Sequence, residues 1–408
     1  MNLFLCRSII KLAIILLLVF VSFLLTGCWD RREVNDTALV LGAAIDKEEG
    51  KNIKLTVQVL VPRAGGSGQM GGGTGTGTGT GGSGAQVLVR SAVGEDMADA
   101  ASKLQVKFPR KLFWGHCKTY IIGHKLANKG DLNEQLDFLM RHPEPRERAQ
   151  LFVSFGEAAG ILEFKPPLEP YEGETLRKLA EMHTGVNVTV KDFEQMITGD
   201  AGAALLPLIK KLPPEKGGEP NETTAYIVGT ALFKRDKMVG YIDISSTKGL
   251  LWLRNEIGVT SVTIHPQKGQ SISLDPIQET TKLLPTIKNG KWKMQVKIKS
   301  EGAIVQNGSR LDIMNPNVLK RVEKDLEKDI TQRINQTLTR VKKEMNVDAF
   351  GFADAFHRKY PKQWNKVKDH WDDVLPQVDV NVDIKTRVKR PGLSTTPAGL
   401  RENEVEEK

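Results

Sequence analysis

The sequence is short of the residues that most chemistry needs. Of 408 residues only three are cysteine, seven are histidine and 6% are aromatic. Three cysteines cannot build a disulfide framework, so folding relies on a packed core, which a chain of this length can supply. The histidines at 116, 124, 142, 183, 265, 357 and 370 never fall in an H-x-x-x-H, H-E-x-x-H or C-x-x-C pattern, so no zinc site is expected. G-x-S-x-G and GK[ST] are absent as well, and the acidic residues are scattered among lysines as on a solvated surface. No catalytic set and no cofactor are therefore expected, and an anchored cell-wall enzyme lacks the paired carboxylates or metal ligands it would need. Long apolar runs are missing too, apart from one at the N-terminus, and a mean hydropathy of -0.29 excludes a polytopic membrane protein.

That one run is informative. Arg7 and Lys11 precede Leu12–Leu25, which is apolar except for Ser22; fourteen residues fall short of the roughly 20 that span a bilayer, and the pattern is that of a secretory signal. The run ends in Leu25-Thr26-Gly27-Cys28, the lipobox arrangement in which Cys28 takes a diacylglyceryl group after residues 1–27 are removed. Two or more acyl chains hold a protein stably at a membrane where one does not. Cleavage takes away two positive charges and leaves +7 on 381 residues, a charge that favours an anionic lipid surface. Nucleic acid is not an expected partner outside the cytoplasm. Cys6 leaves with the signal, and Cys117 remains as a small buried hydrophobe.

Along the mature chain the periodicity predicts an α+β protein: multi-domain mixed sheets with packed helices, ending in an antiparallel sheet covered by a long amphipathic helix. Strands are expected at 37–46 and at Ile53–Val61, where Ile53, Leu55, Val57 and Val59 alternate, and again from Gln86. Between them residues 65–84 hold twelve glycines and four threonines, a loop expected to be disordered. A phosphate-cradling role would need Lys-Ser/Thr and a helix next, whereas Ala85 leads into a strand. Helices are expected at 94–107, from Asp131, at GEAAGILEF (156–164), at ETLRKLAEMH (174–183) and at KDFEQMITG (191–199). His116 and Cys117 are read as neighbours in a strand, pointing to opposite faces and so unable to share a metal or act as nucleophile and base. Five prolines and glycines between Pro213 and Pro220 mark 206–223 as a linker between an N-terminal α/β region (28–205, read as two subdomains) and a C-terminal α+β domain (224–390). The latter should contain a hairpin turning at Arg235-Asp236, a strand at KGLLWL (248–253), alternation at Trp292, Met294, Val296 and Ile298, and a long helix opened by Asn315-Pro316. Its stripe of Leu319, Val322, Leu326, Ile330, Ile334, Leu338, Val341 and Met345 has the period of a straight surface helix. Phe350, Phe352, Phe356, Tyr360, Trp364 and Trp371 are spaced as a packed core, and residues 391–408 read as a disordered tail.

Five ordered stretches resemble one family, the Ger(x)C lipoproteins. GCWDRREVNDTALVLGAAIDK (27–47) resembles the lipobox, the Cys-Trp-Asp-Arg-Arg-Glu block and the strand that follow one another in that family. FPRKLFWGHCKTYIIG (108–123) and LDFLMRHPEPR (136–146) are similar to two further blocks. GTALFKRDKMVGYID (229–243) with GLLWL (249–253), and FGFADAFHRKYPKQW (350–364), resemble the C-terminal ones.

The resemblance implies a non-enzymatic subunit of a nutrient germinant receptor, lipid-anchored on the extracytoplasmic face of the spore inner membrane. It would assemble there with A and B integral-membrane subunits and be required for germination; the resemblance leaves direct contact with the nutrient open. Carried over by residue, Cys28 is the lipidation site. Trp29, Asp30, Arg31, Gly229, Phe233, Gly240, Gly249 and Trp252 are candidate structural or partner-contact positions, the glycines through turns and close packing. A solute-binding lipoprotein serving a transporter is the alternative reading of the same anchor and layout.

Overall fold

The computed structural model describes residues 11–16, 36–61, 86–130, 132–258, 261–267 and 269–390, with 397, 399, 400, 404 and 405 beyond. Cys28, Trp29, Asp30, Arg31, Asp131 and the 65–84 loop lie outside the described residues, as does most of the 391–408 tail. The first sheet contains β1 (Thr37–Lys47), β2 (Ile53–Leu60), β3 (Val87–Gly94), β4 (Lys111–Phe113), β5 (Thr119–Ile122), β6 (Gln150–Ser154), β7 (Ala203–Lys211), β8 (Ala225–Lys234) and β9 (Lys237–Asp243). They run in the order β3-β2-β1-β5-β6-β7-β8-β9, with β4 beside β1. The middle is parallel, β1-β5-β6-β7, and both margins are antiparallel. Parallel strands are covered on both faces and so carry unbroken apolar runs: all four residues of Thr119–Ile122 are buried. Alternate side chains feed two cores. Ala43, Ile45, Tyr120, Ile122, Leu151 and Val153 point to the larger one; Ala44, Ile121 and Phe152 point to a smaller one closed by Leu162 and Leu176.

Helices α1 (Met97–Gln105), α2 (His124–Lys129), α3 (Leu132–Arg141), α4 (Glu172–Glu181) and α5 (Val190–Thr198) cover this sheet. Asp96 caps α1 by accepting from Asp99 N–H, and Thr189 with Asp192 closes a capping box on α5, the local signals that start helices. The segment expected as a helix at 156–164 is a short 3-10 turn, Ala159–Glu163. His116 ends another such turn, Trp114–His116, instead of sitting in a strand; Cys117 behind it is buried while His116 is exposed.

The 206–223 segment is not a spacer between separate bodies. Leu206–Lys211 completes β7, and β7 pairs antiparallel with β8 from Ala203↔Lys234 to Lys211↔Ala225. The prolines and glycines therefore form a loop inside one sheet, because burial of ALLPLI outweighs the turn signal after it. The β8–β9 hairpin does turn at Arg235-Asp236, with Lys234 opposite Lys237 and Arg235 at φ 52°. KGLLWL is not a strand: it belongs to α6 (Ile244–Arg254), capped by Asp243 accepting from Ser246 N–H and ended by Asn255 in the left-handed region. Leu250, Leu251, Trp252 and Leu253 are all buried, and a helix buried all round has no period to distinguish it from a strand.

The second sheet has the order β10 (Val262–Ile264), β11 (Ile272–Lys288), β12 (Lys291–Asn307) and β13 (Asp379–Arg390). It is antiparallel as expected through β12, but β13 joins parallel. Asn289 and Gly290, both at positive φ, make the two-residue turn between the long strands. Asn315 and Pro316 open α7 (Pro316–Leu338), and Val322, Leu326, Ile330, Ile334 and Leu338 are buried beneath it. Its Glu327 and Glu323 accept from the Thr386 and Val388 N–H groups at 3.0 and 2.9 Å, which covers the free edge of β13. The aromatic residues around α8 (Phe352–Lys359) form a packed core: Trp364 lies 5.1 Å from Trp371, and Phe356 4.7 Å from Trp292.

Candidate functional site

The C-terminal motif residues act as joints between elements. A Cβ on Gly229 would lie 2.0 Å from the Ile242 carbonyl oxygen, and one on Gly249 would lie 2.3 Å from Thr337 Oγ1 and 3.0 Å from the Arg333 oxygen. Gly229 thus lets β9 approach β8, and Gly249 lets α6 meet α7. Gly240 is looser, 3.2 Å from Met345 Cε. Phe233 is fully buried edge-on to Phe193, with ring centres 5.2 Å apart. The Trp252 carbonyl accepts from Thr281 Oγ1 at 2.7 Å, tying α6 to β11. These five residues face different neighbours and line no common cleft.

Periodicity gave no sign of three buried carboxylates that perform the same work. Asp46 accepts from the Ala158 and Ala159 N–H groups at 2.7 and 2.8 Å, and Gly123 leaves the space, since a Cβ there would meet Asp46 Oδ1 at 2.0 Å. Burial raises the Asp46 pKa, opposed by those two hydrogen bonds. Glu172, at the start of α4, accepts from Ala225 N–H at 2.8 Å and from Thr224 Oγ1. Burial pushes its carboxyl up to about 8. Asp348 accepts from Phe352 N–H, Ala353 N–H and Trp371 Nε1 at 3.1, 2.7 and 3.0 Å, and burial raises its pKa too. A charged residue ending an apolar run, as in AAID, is the one signal that could have marked Asp46.

Burial pushes the Cys117 thiol up to about 12, so almost no thiolate forms near neutrality. His357 pairs through Nδ1 with Asp200, linking the C-terminal block to the turn before β7. Among the described residues no group of three His, Cys, Asp or Glu side chains is placed to hold a metal ion. A wide open groove of about 1390 Å³ runs along α7, between Lys324, Lys328 and Gln332 and the Val382–Ile384 segment of β13.

Two family models cover most of the chain: "Spore germination protein N-terminal domain" matches residues 30–211 and "Spore germination B3/ GerAC like, C-terminal" matches 228–392. YfkR of Bacillus subtilis (strain 168) is 31% identical over 92% of this chain and 95% of its own length. The chain belongs to the GerAC-like spore germination family. Spore germination protein KC of the same organism is 29% identical over 95% of this chain and 97% of its own, and spore germination protein B3 is 26% identical over 90% and 95%. The crystal structure of the GerBC protein has the same fold, with a TM-score of 0.51, 24% identity and coverage of 85% of this chain and 97% of that one. The two GerAC-like models meet around the 212–224 loop, yet in three dimensions β8 and β9 complete the sheet begun by the N-terminal part.

Proposed function

We propose that this GerAC-like protein is the lipid-anchored subunit of a nutrient germinant receptor complex. It is held by Cys28 on the extracytoplasmic face of the spore inner membrane and acts with A and B integral-membrane subunits through assembly rather than catalysis. The observation that carries this reading is similarity along nearly the full length of several spore germination proteins. The set of buried joints between elements supports a scaffold role. Trp29, Asp30 and Arg31 follow the anchor directly and are partner contacts beside the membrane, whereas Gly229, Phe233, Gly240, Gly249 and Trp252 shape the body that presents those contacts. Among the described residues no helix is long and apolar enough to cross a membrane; the lipobox makes Cys28 the point of attachment in this reading. Cys28→Ala should therefore shift the protein from the spore membrane fraction to the soluble fraction and reduce nutrient germination. Unchanged fractionation and unchanged germination would contradict the anchor.

The open groove along α7 is the one feature favouring the solute-binding alternative. A nutrient-dependent rise in melting temperature would support it, and a panel without any shift would remove it.

A further inference from the structure

We infer that the outward face of the second sheet, across β11, β12 and β13, is a docking surface for an anionic lipid bilayer. One face of this sheet is buried under α7 and the aromatic core; the other is open. On β12 the inward set is Met294, Val296 and Ile298, and the alternate residues Lys293, Lys297 and Lys299 point to solvent. The register brings like charges side by side. Lys282 stands opposite Lys297, whose other cross-strand neighbour is Asp383, and Lys299 stands opposite Lys385; directly opposed like charges destabilise a sheet. Over the whole outward face, nine lysine and arginine residues stand against four acids, Asp275, Glu301, Asp379 and Asp383. Two of these acids are already engaged, Asp379 with Lys293 and Glu301 with Lys389. The surplus of five positive charges on one face has no explanation in folding.

The kind of partner follows from shape and residue type. The face presents its charges as a lattice, with strands about 4.8 Å apart and outward residues about 7 Å apart along each strand. Eight of its nine cations are lysines, flexible point charges suited to mobile headgroups, where arginine would favour bidentate recognition of a fixed acidic partner. Exposed apolar side chains stand on this sheet, with Leu284 39% and Val305 53% exposed, able to enter the headgroup layer. Each basic residue close to an anionic leaflet adds attraction that falls off within a Debye length. The inference rests on the anchored reading for its setting: eight residues separate Cys28 from Thr37 at the start of β1, a reach of about 30 Å at full extension.

The test uses the full mature chain with Cys28→Ser, and hence no lipid, mixed with vesicles of phosphatidylcholine alone or with added phosphatidylglycerol. Binding is expected only with phosphatidylglycerol, weakening steeply as salt rises. It should drop at least 100-fold in the combined variant Lys282→Gln, Lys297→Gln, Lys299→Gln and Lys385→Gln, whose thermal unfolding should match or exceed that of the parent. A control variant that removes four charges elsewhere, Lys320→Gln, Lys324→Gln, Lys328→Gln and Lys343→Gln, should keep most of the binding. Absence of binding, equal binding to neutral vesicles, or equal loss in both variants overturns the inference. Tighter binding to soluble polyglutamate than to vesicles would also overturn it, reassigning the face to an acidic protein. Because the chain tested carries no lipid, failure here leaves the Cys28 experiment untouched, and failure of that experiment leaves vesicle binding standing.

Discussion

Gly249 sets the distance between α6 and α7 by having no side chain. Gly249→Ala places a methyl group inside the contact radius of Thr337 Oγ1 and the Arg333 oxygen, and overpacking of this kind costs about 1–3 kcal/mol. A lowered urea midpoint is the expected result. Adding Thr337→Ala should restore part of the loss, because the nearest obstacle is then gone while the backbone oxygen remains; additive losses would place the strain elsewhere. At this scale little is legible in advance. The Asp46–Gly123 pair joins residues 77 positions apart, and nothing in either local sequence announces the other. By contrast, the inward burial of Phe350, Phe352, Phe356, Trp364 and Trp371 follows from their spacing, since large aromatics at helical intervals have few other ways to leave water.

Among the elements, Glu172 links α4 to β8 in a buried position, and its environment gives the link a pH dependence. In the unfolded chain the carboxyl ionises near its ordinary 4.5; in the fold burial raises it to about 8. Between those values the native protein keeps a proton that the unfolded chain has lost. Stability therefore falls as pH rises from about 5 to 8, by roughly 3 kcal/mol, and levels off above. Glu279, beside Ser300 in the second sheet, is raised to about 8 by burial and acts in the same direction. Glu172→Gln should flatten the fall in urea midpoint between pH 5.5 and 8, and an unchanged slope would show that Glu172 ionises normally. β12 and the amphipathic α7 were readable because one of their faces meets water; β2 was readable because Thr56 and Gln58 alternate with its apolar residues, although both are buried. α6 was not, because its Gly249–Leu253 stretch is buried all round, and the parallel seating of β13 depends on the path of the chain through α7 and α8. The lysine alternation in KWKMQVKIK was visible beforehand; its meeting with Lys282 and Lys385 needed the register.

For the molecule as a whole, one apolar core runs from Ala38 in β1 to Ile384 in β13. Continuity of that core overrides the proline and glycine punctuation at 213–220: a loop that leaves a sheet and returns to it looks, in composition, like a linker between domains. The periodicity did convey that this is an α+β body, and the ordered motifs conveyed the family. The account's central claim is that this GerAC-like body serves nutrient-triggered germination as part of a membrane receptor. The most direct measurement is dipicolinate release from purified spores lacking the protein, across a nutrient panel, with a nutrient-independent surfactant as control. The account predicts loss of response to particular nutrients, restored by the intact gene, while the surfactant response persists; an unchanged response to every nutrient would contradict it.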